Sequence, residues 1–157
     1  MVSVGDGYEM HLHVVGEGYP LVLIHGSGPG ASGWSNFKQN IPTFIEHGYQ
    51  CIVPDLLGYG YSSKPDTDYT LDFFVSTLIE ALRKIGVTKC ALVGNSMGGT
   101  LSMKMALDAP DLIERIVLMA PGGLYPLDRY RQMEGIQKML PVLTAPGGLT
   151  PDALRQV

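Results

Sequence analysis

The sequence predicts an α/β protein in which helices flank a mostly parallel β-sheet. Short runs of consecutive apolar residues predict strands that are buried on both faces. Segments in which apolar residues recur at helical spacing separate these runs, and such alternation is typical of parallel strands joined by helices. The predicted strands cover residues 21–24, 51–53, 90–93 and 116–119.

Three helices are predicted between or after these strands, at residues 37–45, 71–85 and 98–107. The second is the clearest, because Thr70 is a good N-cap and Gly86 a good C-cap. A further strand is predicted at residues 8–14, where apolar and polar residues alternate as in a half-solvated strand.

The pattern changes after Pro121, which predicts two regions, a core at residues 1–125 and a helical region at 126–157. Residues 126–140 predict one helix, and a linker rich in Pro and Gly is expected at 141–148. Thr150 and Pro151 are suited to the N-cap and first position of another helix.

Composition excludes several classes of protein. The 157 residues are enough for one domain. With 11 basic and 15 acidic residues the net charge is −4, so nucleic acid is not an expected partner. No apolar stretch approaches the roughly 20 residues of a membrane span, and the first ten residues lack the features of a secretory signal. The prediction is a cytoplasmic protein that needs no membrane, metal or cofactor.

Two cysteines, Cys51 and Cys90, lie within apolar runs and are expected to be buried, reduced thiols without metal-ligand spacing to a histidine. If the strand at residues 21–24 lies between their strands, they are two strand spacings apart. That separation of roughly 9–10 Å is too large for a disulfide.

Residues 94–98 read Gly-Asn-Ser-Met-Gly and fit the motif G-x-S-x-G between a predicted strand and a predicted helix. That setting is what a nucleophile elbow requires, because the turn is tight enough to exclude side chains at the two flanking glycines. It places the Ser96 hydroxyl at a helix N-terminus, where the free N–H of Met97 faces any oxyanion that forms. Ser96 is therefore the predicted catalytic nucleophile.

A Gly-rich loop, His25 to Gly30, follows the strand at residues 21–24 and is expected to supply the second oxyanion donor from its backbone. The N–H of Ser27 is the first choice and that of Gly28 the second. His25 is expected to hold this loop by hydrogen bonds rather than to act as a base.

Four segments carry a resemblance to a known family. In chain order they read HGSGPGASGWSNF, PDLLGYGYSS, LVGNSMGG and LMAPGG, and they resemble the meta-cleavage product hydrolases. These are α/β-hydrolases that cut a carbon–carbon bond in products of aromatic ring opening. The resemblance runs from about Tyr8 to Val157. It implies an incomplete α/β-hydrolase fold followed by the start of a helical lid, and a small-molecule substrate.

The resemblance also implies roles for particular residues. Ser96 is the nucleophile, and the N–H groups of Ser27 and Met97 form the oxyanion hole. The resemblance implies that Asn36 and Asn95 make polar contacts to the dienol and carboxylate of the substrate. It also places Gly26 and Gly28 in the substrate-binding site. An alternative for Asn36 is a helix N-terminal cap.

A general base for Ser96 is missing from this half. All four histidines, His11, His13, His25 and His47, precede Ser96, whereas the fold's triad runs Ser, acid, His in chain order. The resemblance places that acid and His beyond residue 157. Asp55 ends a neighbouring strand, but a carboxylate without His is a poor base for Ser. The chain alone is therefore expected to be inactive.

Three interpretations stay open from the sequence. The first is a hydrolase of a dienoate ring-cleavage product, and the second is a carboxylesterase on the same scaffold. The third is a non-catalytic, truncated fragment that binds or assembles. The strand ending at Met119 is expected to leave an apolar, unpaired edge, which predicts homo-oligomers, swapping or a complementing C-terminal half.

Overall fold

The computed structural model describes residues 1–143 and residue 150. Its seven described strands are β1 Val2–Val4, β2 Tyr8–Met10, β3 Leu12–Val15, β4 Tyr19–Ile24, β5 Tyr49–Pro54, β6 Cys90–Asn95 and β7 Ile113–Met119. Its described helices are α1 Gly33–Phe37, α2 Ile41–Glu46, α3 Leu71–Lys84, α4 Met97–Asp108, α5 Leu127–Arg131 and α6 Glu134–Leu143.

Five strands form one sheet in the order β3-β5-β4-β6-β7. Strand β3 is antiparallel to β5, and the other neighbours are parallel, which confirms the predicted mostly parallel sheet. In the register of β4, Leu21 lies opposite both Cys51 and Ala91. The strand at residues 21–24 therefore separates the two cysteine strands as predicted, and Cys51 and Cys90 are buried and free.

The central strands bury side chains on both faces, which explains their continuous apolar runs. Helices α1 and α2 cover one face, where Phe37 and Ile41 pack with the odd-numbered residues of β4, Leu21 and Leu23. Helices α3 and α4 cover the other face of the sheet and pack against the even-numbered residues of β4. The layered arrangement with helices on both sides is therefore confirmed.

Helix α3 begins at its predicted N-cap and ends with a C-cap one residue before the predicted Gly86. The Thr70 hydroxyl accepts a hydrogen bond of 3.1 Å from the N–H of Phe73, which satisfies one of the free donors of the first turn. Ile85 is the C-cap, and Gly86 follows it with a φ of +83°, the left-handed conformation common just after a helix.

The helix predicted at residues 37–45 is two short helices, α1 and α2. Asn40 donates its N–H to the carbonyl of Phe37, so the chain turns between them. Pro42 lies in the first turn of α2. Because proline has no N–H, it cannot continue the hydrogen bonding of α1 into α2. The predicted strand at 8–14 is likewise interrupted, since His11 separates β2 from β3.

The region after residue 125 also differs from its prediction. Two helices, α5 and α6, replace the single helix expected at 126–140, and Pro141 lies inside α6 rather than in a linker. The helix expected from Thr150 and Pro151 falls outside the described residues apart from Thr150. The chain divides into two compact units, Met1–Gly122 and Gly123–Val157.

Strand β7 is the edge of the sheet in the described part of the chain. It pairs with β6 alone, and Val117 is 55 % exposed and Met119 44 % exposed. The apolar, unpaired edge predicted from the sequence is therefore present. No helix among the described residues is both long and apolar enough to cross a membrane.

Candidate active site

Ser96 occupies a strained turn between β6 and α4. Its φ of +52° and ψ of −113° lie outside the regions that non-glycine residues normally adopt. Its N–H donates to the carbonyl of Met119 at 2.8 Å, and its carbonyl accepts from the N–H of Gly99 at 3.0 Å. Hydrogen bonds to β7 and to α4 therefore hold this serine in the conformation that the motif predicts for a nucleophile elbow.

The two glycines of the motif are sterically required. A Cβ at Gly94 would lie 2.3 Å from the carbonyl oxygen of Gly98, and a Cβ at Gly98 would lie 2.1 Å from that of Ile24. The turn thus packs directly against the end of β4. Ser102, which the sequence analysis did not single out, is buried and donates its hydroxyl to the Gly98 carbonyl at 2.7 Å.

The loop after β4 lies beside Ser96. A Cβ built on Gly26 would be 3.2 Å from the Cβ of Ser96, so the backbone here approaches the serine closely. Met97 is the first residue of α4. A backbone N–H in the first turn of a helix has no acceptor within the helix and lies at the positive end of the helix dipole. The assignment of Ser27, Gly28 and Met97 as oxyanion donors remains a prediction.

Asn36 connects this loop to the elbow. Its side-chain Oδ1 accepts hydrogen bonds from the N–H of Gly26 at 3.2 Å and from Nδ2 of Asn95 at 3.0 Å. The Gly26 N–H is therefore occupied, which leaves the later amides of the loop as donors for an oxyanion. The substrate contacts that the family resemblance implies for Asn36 and Asn95 remain a prediction.

The alternative role of Asn36 as a helix cap is wrong. The N-cap of α1 is Ser32, whose hydroxyl accepts from the N–H of Ser35 at 3.0 Å. Ser35 returns a hydrogen bond by accepting from the Ser32 N–H, again at 3.0 Å. This reciprocal pair satisfies the first turn, so Asn36 on that helix is left for its contacts with Gly26 and Asn95.

His25 holds the loop, as the sequence analysis predicts. The Leu56 N–H donates to Nε2 of the ring at 3.1 Å, so Nδ1 carries the proton and donates to the Gly26 carbonyl at 2.7 Å. The ring is fully buried, and burial lowers the pKa of His25 below its usual value. Because both ring nitrogens are engaged, His25 has no free nitrogen with which to deprotonate Ser96.

Asp55 is buried and makes contacts that sequence reasoning did not foresee. Its carboxylate accepts from the N–H groups of Gly33 and Tyr61, and it pairs with His11 at 3.1 Å. The partners are 22, 6 and 44 residues away, so only the folded chain brings them together. Among the described residues, no group of three or more His, Cys, Asp or Glu side chains is arranged to hold a metal.

Comparison with known proteins agrees with this geometry. The family model for the α/β hydrolase fold matches residues 19–154. A 2-hydroxy-6-oxo-6-phenylhexa-2,4-dienoate hydrolase from Burkholderia cepacia is 36% identical over 143 residues, which is 90% of this chain and 50% of that protein. The chain therefore spans about half the length of the curated relatives it matches.

Solved structures give the same result. A meta-cleavage product hydrolase from Pseudomonas fluorescens superposes with a TM-score of 0.76 at 33% identity, covering 87% of this chain and 50% of that one. An esterase from Exiguobacterium antarcticum gives 0.74 at 25% identity, covering 98% and 52%. Together with the strained serine between β6 and α4, these matches show that the chain belongs to the α/β hydrolase fold family and resembles its meta-cleavage product hydrolases.

Proposed function

We propose that this chain carries the nucleophile of a serine hydrolase that cleaves a carbon–carbon bond in a dienoate product of aromatic ring opening. The observation that carries the proposal is the link from Asn36 to both Gly26 and Asn95, next to the strained Ser96. It presents amide groups suited to a polar substrate beside a serine at a helix N-terminus. The relatives named as dienoate hydrolases support the same substrate class.

In the proposed reaction, the Ser96 hydroxyl attacks the ketone carbon of the substrate after the dienol has tautomerised. The N–H groups of Ser27 and Met97 stabilise the negative charge that develops on the carbonyl oxygen. A base takes the proton of the Ser96 hydroxyl during the attack. The carbon–carbon bond then breaks, its electron pair passes into the dienolate of the leaving fragment, and the proton is returned to that dienolate to give the hydroxydienoate, leaving an acyl group on Ser96. Water hydrolyses the acyl group to a carboxylic acid and restores the serine.

Ser96 needs a base for this reaction, and residues 97–157 contain no histidine, although the triad of this fold places its histidine after the serine. His25 is engaged at both nitrogens, and His11 is paired with Asp55. We propose that the acid and histidine of the triad come from polypeptide outside residues 1–157. Without them the hydroxyl is a weak nucleophile, and residues 1–157 alone are expected to show little turnover.

The remaining parts of the proposal concern the setting of the site. We assign residues 126–157 to the beginning of a helical lid and residues 1–125 to the core that carries Ser96. A small molecule is the expected partner, in the cytoplasm and without a cofactor. Assembly through the exposed edge of β7, with another copy or with a complementing C-terminal half, stays a prediction.

A carboxylesterase is the second candidate, favoured by the match to an esterase over 98% of this chain. The same Ser96 elbow and oxyanion donors would serve ester hydrolysis, since the fold does not fix the substrate. The two functions differ in what they need from Asn36 and Asn95. A dienoate offers a hydroxyl and a carboxylate to these amides, and a plain aryl ester offers neither.

One experiment separates the two candidates. Residues 1–157 are fused to the C-terminal half of the Burkholderia cepacia dienoate hydrolase, and the fusion is assayed with 2-hydroxy-6-oxo-6-phenylhexa-2,4-dienoate and with an aryl acetate. We expect a higher kcat/KM for the dienoate and loss of activity in Ser96→Ala. Faster ester cleavage without dienoate turnover would overturn the carbon–carbon assignment and keep the serine hydrolase.

A further inference from the structure

We infer that Asp55 is a positioning residue for the oxyanion loop, because it fixes the helix from which Asn36 holds Gly26 beside Ser96. The inference deepens the proposed function and rests on it for its catalytic meaning. Asp55 does not touch the nucleophile itself. It acts through α1, and each step from its carboxylate to the loop is a direct contact.

The Asp55 side chain is only 1 % exposed and is surrounded by donors. Oδ1 accepts from the N–H of Gly33 at 2.8 Å, and Oδ2 accepts from the N–H of Tyr61 at 3.0 Å. Nδ1 of His11 donates to Oδ2 at 3.1 Å. A buried carboxylate is costly unless such donors compensate for lost water, so this carboxylate is held in one orientation.

The loop around Asp55 leaves the carboxylate no room to turn. A Cβ at Gly60 would lie 2.2 Å from Oδ2, so the loop backbone touches the carboxylate directly. Ser62 donates its hydroxyl to the Asp55 carbonyl at 2.5 Å and accepts from the N–H of His11 at 2.8 Å. The backbone of Asp55 is therefore fixed as firmly as its side chain.

Helix α1 depends on this anchor for its position. It has five residues, far fewer than an isolated helix needs to be stable, so tertiary contacts must hold it. Gly33, its first residue, is bound to Asp55 and lies so close to β5 that a Cβ there would be 2.5 Å from the Pro54 carbonyl oxygen. Asn36 lies three residues further along, close to one helical turn.

Asn36 transmits the position of α1 to the active site. If Gly33 loses its carboxylate acceptor, α1 can shift, and the Asn36 oxygen then moves away from the N–H of Gly26 and from Asn95. Gly26 precedes the proposed oxyanion donor Ser27 in the same loop. A shift of that loop changes where the donor N–H points, which matters mainly when charge develops in the transition state.

The test uses Asp55→Asn in the 157-residue chain, with amide hydrogen exchange read by NMR. An amide side chain offers one acceptor oxygen where the carboxylate offers two, so a donor is left unpaired. We expect exchange at Gly26 to speed up at least ten-fold more than at amides in α3. Asn36→Ala, which removes the acceptor of Gly26, is the positive control and should give the same local effect.

A matched control separates positioning from general destabilisation. Thr77 is buried on α3, and its hydroxyl donates to the Phe73 carbonyl at 2.8 Å. Thr77→Val should speed amide hydrogen exchange, but by no more at Gly26 than at amides in α3. If Asp55→Asn does not fold, His11→Phe, which removes one donor to the same carboxylate, decides in its place. A folded variant in which Gly26 changes no more than α3 would overturn the inference.

A kinetic measurement gives the second readout. In the fusion with the Burkholderia cepacia half, Asp55→Asn should lower kcat at least ten-fold, because the oxyanion forms only during reaction, and any rise in KM from the displaced Asn36 should be smaller than the fall in kcat. A raised KM with unchanged kcat would contradict a positioning role. If the unmutated fusion has no activity, the proposed function fails, and the exchange measurement at Gly26 still decides the inference about Asp55.

Discussion

Asn36 and Asn95, 59 positions apart in the chain, are joined by a hydrogen bond of 3.0 Å from Nδ2 of Asn95 to Oδ1 of Asn36. The same oxygen accepts the N–H of Gly26. One side chain on α1 thus connects the loop after β4 to the residue before Ser96. The two asparagines therefore form a structural link, and the substrate contacts that the family resemblance implies for them remain a prediction.

Replacing Asn36 should weaken this link. Asn36→Ala leaves the Gly26 N–H and the Asn95 amide without their acceptor, and we expect a loss of about 1–2 kcal/mol in the free energy of unfolding. Asn36→Asp keeps an acceptor oxygen at the same place and should recover most of the loss. Urea denaturation measures both. Equal destabilisation by the two variants would show that the acceptor is not what stabilises this site.

Gly98→Ala should be severely destabilising, because its Cβ would lie 2.1 Å from the backbone oxygen of Ile24, which cannot move aside cheaply. We expect a loss of about 3 kcal/mol or an absence of folded protein. Gly135→Ala is the control, since that glycine lies in α6 with open space around its Cβ position. There the same substitution should be neutral or favourable by up to about 1 kcal/mol. Circular dichroism with urea compares them.

The two thiols should be unreactive in the folded chain. Burial raises the pKa of Cys90 to about 12, with Glu114 adding to the effect, and burial also raises the pKa of Cys51. Because the thiolate is the reactive form, a short pulse of iodoacetamide at pH 8 should label neither residue in native protein and both in urea. Mass spectrometry counts the adducts, and rapid native labelling of Cys90 would contradict the buried strand register.

Stability should fall as pH decreases below about 6.5, the usual pKa of histidine. Burial lowers the pKa of His25, and burial together with His11 lowers that of His13, so the unfolded chain binds protons that the folded chain does not. The stabilisation is complete above pH 6.5 and is lost toward the lower, folded pKa values. Urea midpoints between pH 7.5 and 5.5 measure it, and His25→Asn should flatten the slope. An unchanged slope would contradict the neutral, buried ring.

Features of the fold that depend on residues close together in the sequence could be predicted from it. The elbow at Ser96 was predictable because both its glycines and its flanking strand and helix lie within a few residues. Apolar runs predicted the strands themselves, whereas the order around β4, and with it the separation of Cys51 from Cys90, was predicted from the family resemblance. The role of His25 was predictable from its place directly after a buried strand.

Other features depend on pairing between distant residues or on competing local signals. The contact of His11 with Asp55 requires the antiparallel pairing of β3 with β5, for which the sequence has no local marker. The break at Asn40 was hidden by apolar residues that keep helical spacing across Pro42. Pro141 was predicted to open a linker, yet α6 continues through it. Proline costs about 3 kcal/mol in a helix interior, which makes a break the better prediction from sequence without excluding a helix.

Covalent labelling tests whether Ser96 is the activated serine of this hydrolase. The fusion of residues 1–157 with the Burkholderia cepacia half is treated with a fluorophosphonate, which reacts with activated serines, and intact mass and peptide mapping locate the adduct. We predict one adduct, on Ser96, with loss of dienoate turnover and no adduct in Ser96→Ala. Residues 1–157 alone, without the base, should react at least a hundred-fold more slowly. A fusion that hydrolyses the dienoate while Ser96 stays unlabelled, or an active Ser96→Ala variant, would show that Ser96 is not the nucleophile.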